Sequence, residues 1–262
     1  MQKTTKFNAM KKYPTDLNDM QWQVIEKIQN DKRQRGHSLR IIWNAIFYVT
    51  TTGCQWRMLP NDYPPWQTVY YHFSNWKRNG LITQIHEALV AMVRKKAGKK
   101  ECPSVGIIDS QSVKTTCVGG EARGYDAGKK TKGRKRHIVV DTMGLLICVL
   151  VHSAEIQDRD GAKLVLEKLK EDLVSLVKIF ADGGYAGKLI EFVAETYNWI
   201  IEIVKRSDVG FKILPKRWIV ERTFSWINNA RRNSKDYEYL TETSEAIIRL
   251  AMIKVMLSRI KN

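Results

Sequence analysis

Apolar residues recur every third or fourth position through roughly the first hundred residues, and beyond Pro103 they gather into short β-branched runs. The first spacing lines one face of a helix; the second reads as buried strand. Leu17, Met20, Val24 and Ile28 mark a first helix. Ile42, Ile46 and Val49 mark a second, over 39–52, stopped by Gly53. Val69, Phe73 and Trp76 mark a third, over 66–79, which begins after Pro64-Pro65 and ends before Gly80. A fourth stripe, Leu81, Ile85, Leu89 and Met92, runs into RKKAGKKE (94–101), whose lysines and glycine predict a linker. The pattern divides the chain into a small all-helical domain, 1–97, and a second domain, 98–262. Residues 1–14 are basic and polar. Helices 39–52 and 66–79 are expected as the two arms of a helix-turn-helix-like module.

In the second half the pattern predicts strands at 104–109, 136–141 and 145–152, the last two joined by a Thr-Met-Gly turn. A helix over 160–176 (Leu164, Leu166, Leu169, Leu173), a strand over 177–181, a helix over 187–197 and a strand over 199–205 come next. Helices 216–232 and 243–260 follow. A hairpin followed by βαβ crossovers gives an α/β domain, a mixed sheet flanked by helices.

Charge changes what such a fold is for. Lys and Arg number 44 against 27 Asp and Glu, a net charge of +17 and a pI near 9.7. The partner this implies is a polyanion. No apolar run reaches the ~18–20 residues of a membrane span, and MQKTTKFNAMKKYP holds no signal-peptide core. Cys54, Cys102, Cys117 and Cys148 are scattered, with no CxxC pair, which argues against a zinc finger or a disulfide framework. A reducing, cytosolic setting is expected.

Three acids carry the candidate chemistry. Asp109 and Asp182 each close a β-branched run, in SVGIIDSQSVKTT and VKIFADGGYAG. Glu221 lies in the arginine-rich helix PKRWIVERTFSWINNARR. Carboxylates converging from separate elements make a hard-oxygen site for Mg²⁺, and two such ions can drive phosphodiester chemistry. Asp141 is expected as a turn residue and Asp158 and Asp160 as helix caps. Gly183-Gly184 suits either a close backbone approach to metal or phosphate, or a plain turn.

The segments IIDSQSVKTT, GYDAGKKTKGRKRHIVVDTMGLL, ADGGYAG and RWIVERTFSWINNARRNSKDYE resemble the bacterial insertion-sequence transposases of the DDE type, whose core is ribonuclease H-like. NAIFYVTTTGCQWRMLPNDYPPWQTVYYHFSNW resembles the domain that precedes this core in one subgroup. The resemblance runs from about Thr15 to Tyr239. It implies Asp109, Asp182 and Glu221 as catalytic, metal-binding triad, with two Mg²⁺ ions per site and Mn²⁺ as substitute. It also implies double-stranded DNA as partner, both element terminal repeats and target, and a homodimer or higher oligomer on that DNA. The setting it implies is the bacterial cytoplasm, at the nucleoid. Relatives carry Tyr-x2-Arg-x3-Glu-x6-Lys around the third acid. Arg217 and Glu221 fit that signature; Leu214 and Asn228 replace its Tyr and Lys, and Arg231 is a candidate substitute for the Lys.

Two basic segments are candidate DNA contacts. KKTKGRKR (129–136) offers Lys129, Lys130, Lys132, Arg134, Lys135 and Arg136. Residues 205–235 offer Lys205, Arg206, Lys212, Lys216, Arg217, Arg222, Arg231, Arg232 and Lys235 against Asp208 and Glu221. Such contacts give affinity and salt dependence rather than sequence choice. Val220, Phe224 and Ile227 read as core, and Trp226 as packing or as a wedge into a DNA step. The third helix offers Gln67, Thr68, Tyr71, His72, Asn75, Lys77 and Arg78 as readers, unless the helical unit is purely structural. Two other classes stay open: a structure-selective nuclease on the same core, and a DNA-binding repressor with an inactive core.

Overall fold

A computed structural model describes residues 13–172, 175–204 and 217–260. The expectations for Lys205, Arg206, Asp208, Lys212, Leu214 and Lys216, for Leu173 and for the first twelve residues lie outside this range. The helical half follows its apolar spacing. Helix α1 (Asp19–Gln29) opens on a capping box between Asn18 and Gln21. Ser38 caps α2 (Leu39–Thr52), which ends at Gly53 with φ 73. A side chain at Gly53 would be strained by that φ and would also sit 3.1 Å from the Arg231 backbone. Helices α3 (Trp66–Arg78) and α4 (Leu81–Lys96) complete the set. Trp43 stacks on Trp76 at 4.6 Å among buried Ile25, Ile46, Phe47, Phe73 and Leu89.

The expected separation into two cores is corrected here. Helix α4 runs through Arg94–Lys96, so the linker starts at Ala97. A late helix, α8 (Thr241–Arg259), places Ile247, Leu250, Ile253, Met256 and Leu257 in the same apolar cluster as α1–α4. The N-terminal helices therefore draw part of their core from the second half of the chain. A fragment ending near Ala97 would expose that surface.

The sheet holds β1 (Val105–Lys114), β2 (Gly124–Asp126), β3 (Thr131–Val140), β4 (Leu146–Ser153), β5 (Lys178–Ala181) and β6 (Ile200–Ile203). β1 lies between antiparallel β3 and parallel β5, and β6 continues in parallel beyond β5. β2 and β4 both pair antiparallel with β3. Helices α5 (Asp158–Asp172) and α6 (Lys188–Tyr197) cover one face through Val165, Leu166, Leu169, Leu189 and Val193. Helix α7 (Arg217–Asn229) and α8 cover the other through Val220, Phe224, Ile227, Ile248 and Met252. Three differences from the sequence pattern matter. β2 is an extra strand, β1 continues five residues past Asp109, and β3 begins at Thr131, so the basic run lies largely within a strand.

Candidate active site

Register brings the first two acids together. Ile107 pairs with Phe180 across the parallel β1–β5 contact, and Asp109 and Asp182 each lie two residues further on. Side chains alternate along a strand, so two steps return both acids to one face and one level. That face is the one α7 covers. Asp109 thus sits mid-strand, not at a strand end as its run suggested. Asp182 follows β5 directly and opens a short 3₁₀ turn, Gly183–Tyr185, where its Oδ1 accepts from the Gly184 N–H at 2.8 Å. A side chain on Gly184 would lie 3.0 Å from that oxygen. The glycine pair therefore forms a turn that presents the Asp182 carboxylate.

Arg217, the first residue of α7, draws in the third acid. Its Nη2 lies 3.3 Å from Asp182 Oδ2 and its Nε lies 3.4 Å from Glu221 Oε1, one turn along the helix. Glu221 keeps its side chain 60% exposed. Asp109 has a carboxyl pushed up to about 6, chiefly by burial and then by the nearby Asp182 charge. The Ser110 N–H, Arg217 and Lys129 pull it down. Lys129 reaches this edge from the β2–β3 turn, its Nζ 3.3 Å from the Ser110 carbonyl and its N–H bonded to Asp126 Oδ1.

Beneath the edge lies a polar layer that the sequence did not reveal. Asp158 accepts from Ser110 Oγ and Lys135 Nζ, a bridging role in place of the expected helix cap. Tyr185 meets His137 Nε2 at 2.8 Å, and His137 Nδ1 faces His152 Nε2 at 3.3 Å. Burial drives His137 down to about 3 and Tyr185 well up, so this chain stays neutral near pH 7. The pairing of β3 with β4 brings His137 beside His152, and Tyr185 joins them from the turn that follows β5.

The basic run splits in two, and part of the DNA-contact expectation is corrected. Lys129, Lys130 and Lys132 are exposed. Arg134, Lys135 and Arg136 are buried. Arg134 donates to the carbonyls of Glu121, Glu238 and Tyr239 and pairs with Asp236 at 3.2 Å. Arg136 donates to the carbonyls of Asn233 and Lys235, and Lys135 to Ile156 and Asp158. These side chains fasten the 231–240 segment and the start of α5 to the sheet and offer nothing to a phosphate. Arg232 is likewise buried, bonded to Glu238 Oε1 and the Cys54 carbonyl. Lys77 turns toward Thr243 and Glu242 on α8.

Arg222 is held between the rings of Trp218 and Trp226, 4.5 Å from each centroid, and donates to the Met143 carbonyl. It ties α7 to the β3–β4 turn. Trp226 packs there too, with Arg259 on its ring. Arg231 and Arg78 remain exposed. Asp141 is a turn residue, as expected, but a fully buried one. It accepts from the N–H groups of Met143 and Leu145 and pairs with the buried Arg94.

Does this edge suit a cation? Asp109, Asp182 and Glu221 offer only carboxylate oxygens, the donors a hard divalent ion prefers. The Asp109–Asp182 repulsion is what such an ion relieves. Among the described residues, no three His, Cys, Asp or Glu side chains stand close enough to hold a metal as they are placed. Arg217 occupies the space between Asp182 and Glu221 instead. The donor set fits a divalent ion in kind.

A mixed sheet of six strands with helices on both faces, Asp109 on one central strand and Asp182 just past the parallel strand beside it, is a ribonuclease H-like α/β fold. The chain belongs to the DDE transposases: residues 100–256 match the family model described as "Transposase DDE domain". Residues 17–86 match a second, described as "Putative transposase of IS4/5 family". No curated protein matches the chain. DDE transposases generally use divalent metal ions. Among the described residues, no helix is long and apolar enough to cross a membrane.

Proposed function

We propose that this transposase binds the terminal inverted repeats of its own insertion sequence, cuts the DNA strand there and joins the freed 3′-hydroxyl to target DNA. Asp109, Asp182 and Glu221 hold two Mg²⁺ ions, with Mn²⁺ as substitute. When bound, such ions activate the attacking oxygen and stabilise the leaving one at phosphorus. The observation that carries the reading is the level placement of Asp109 and Asp182 on adjacent parallel strands, with Arg217 linking Asp182 to Glu221. Two carboxylates this close favour a cation between them. Arg217 supplies positive charge from the protein itself, now paired with Asp182 and Glu221, and in this reading it neutralises phosphate when DNA is bound. Lys129 brings a second cation to the same edge. Lys130, Lys132, Arg231 and Arg78 are exposed cations suited to backbone contact. The N-terminal helices recognise the element ends, and the protein acts as a homodimer or higher oligomer on DNA in the bacterial cytoplasm.

The test uses duplexes copied from the DNA flanking the gene. With Mg²⁺ or Mn²⁺ the protein should nick these ends and join them to plasmid DNA; with Ca²⁺ it should do so poorly, because the larger ion holds a looser shell. Full joining in excess chelator would sink the reading.

A further inference from the structure

The connection between α1 and α2 runs beside α3 and closes one wall of a cleft of about 880 Å³. Its residues drew no attention in the sequence, where α3 alone offered readers. Asp31 organises this wall. Its carboxylate accepts from Nε and Nη2 of Arg33 and from Nη2 of Arg35, and Arg35 Nη1 donates to the Arg33 carbonyl. These bonds keep the Asp31 carboxyl far below the usual range and so fully charged. One acid therefore fixes two guanidiniums, and Arg33 still leaves its side chain 82% exposed.

The opposite wall is one face of α3. Tyr71, 63% exposed, stands with His72, Asn75 and Arg78. Arg78 is steadied by Asn75 Oδ1 at 2.6 Å. His72 is pushed down by burial and by Arg35, which leaves a neutral ring able to donate or accept. Helix α3 carries no acidic residue. Lys32, Arg33, Arg35 and Arg78 line the cleft with a single carboxylate, Asp31, so its walls are net positive. Lys77, on another face of the same helix, is spent on α8.

We infer that this cleft is a DNA-binding surface: one strand's phosphate backbone runs between the arginine wall and α3, while Tyr71, His72 and Asn75 reach toward base edges. Asp31 takes the Nε side of Arg33 and, among the described residues, leaves its Nη1 free, and a guanidinium held in this way can turn its remaining N–H groups to phosphate oxygens. Thirteen residues of α3 span about 20 Å at 1.5 Å each, a length that lies readily in a major groove. The cleft is open on the solvent side, as a continuous duplex requires. The inference rests on the end-binding reading and names the surface responsible for it.

Binding of the full-length chain to a labelled duplex from the gene's flanking DNA, and to a scrambled duplex, tests it across a salt series. For Arg33→Ala with Arg35→Ala, affinity should fall and the log–log salt slope should flatten by about 1.8, two contacts at about 0.9 each. Arg33→Lys with Arg35→Lys should keep most of the slope, and Lys77→Ala all of it. Tyr71→Ala should narrow the preference for the flanking duplex. Thermal melting checks that each variant folds. A double-alanine variant that folds and binds with the wild-type slope overturns the inference, while a wild-type preference for the flanking duplex would leave the end-binding reading standing. A wild type that binds both duplexes alike sinks that reading and this inference together.

Discussion

Two sets of carboxylates share the catalytic half of this transposase, and they are built on opposite plans. Asp141 and Asp236 are buried, and each is saturated. Asp141 holds two backbone N–H groups and Arg94; Asp236 holds the Ser244 hydroxyl, the Glu238 N–H and Arg134. Asp109, Asp182 and Glu221 have few bonds among them, and burial with the Asp182 charge pushes the Asp109 carboxyl up. A structural acid is stable because every lone pair is taken. An acid that is to hold a cation, the working role proposed for these three, must leave lone pairs open, and the fold tolerates the resulting repulsion at this edge.

The contrast is sharpest in activity. Asp109→Asn, Asp182→Asn and Glu221→Gln should each cut strand joining by roughly 10³-fold or more, about 4 kcal/mol of transition-state stabilisation. Urea unfolding should find all three at least as stable as wild type. A triad variant that keeps its activity removes that residue from the site. Asp141→Asn and Asp236→Asn should behave in reverse. Each leaves a buried arginine without its anion, at a cost of about 3–5 kcal/mol, while the fraction that folds should still join DNA. If either is fully stable yet inactive, that acid belongs to the working set.

A smaller effect should appear with pH in metal-free solution. The Asp109 carboxyl titrates near 6 in the folded protein against an ordinary 3.8, so the folded state holds the extra proton between those values. Its contribution is fully present below about pH 4 and is lost as pH rises through about 6. The stability difference between Asp109→Asn and wild type should therefore grow from pH 4 to pH 7. A difference flat across that range would show that Asp109 is not strained.

The elements that carry the proposed set were readable in the chain because strands and helices announce themselves by period, although Asp109 proved to sit mid-strand and not at the end of its run. Asp109, Asp182 and Glu221 all lie at the predicted elements. The fate of Arg134 was not readable. A local run shows charge but not which way a strand faces, and partners such as Glu238 and Tyr239 lie some hundred residues away. The same reason hid the Tyr185–His137–His152 chain. Asp31 with Arg33 and Arg35 carries no local signal in the sequence, since nothing there says that α3 lies alongside.

The placement of α8 within the N-terminal core sets a timetable for synthesis. Helix α4 is complete at Lys96, but the residues that cover it, from Ala246 to Leu257, are translated much later. At about 5–20 residues per second the wait is on the order of ten seconds. Throughout that interval Ile85, Leu89 and Val93 lack part of their cover, and the nascent chain presents a greasy helical face to whatever is near the ribosome. Chaperones that bind such faces would meet this chain early. A nascent chain that has not yet made α8 also cannot yet pack its N-terminal helices fully, so the DNA binding proposed for them would arrive with the second half of the chain and not before it.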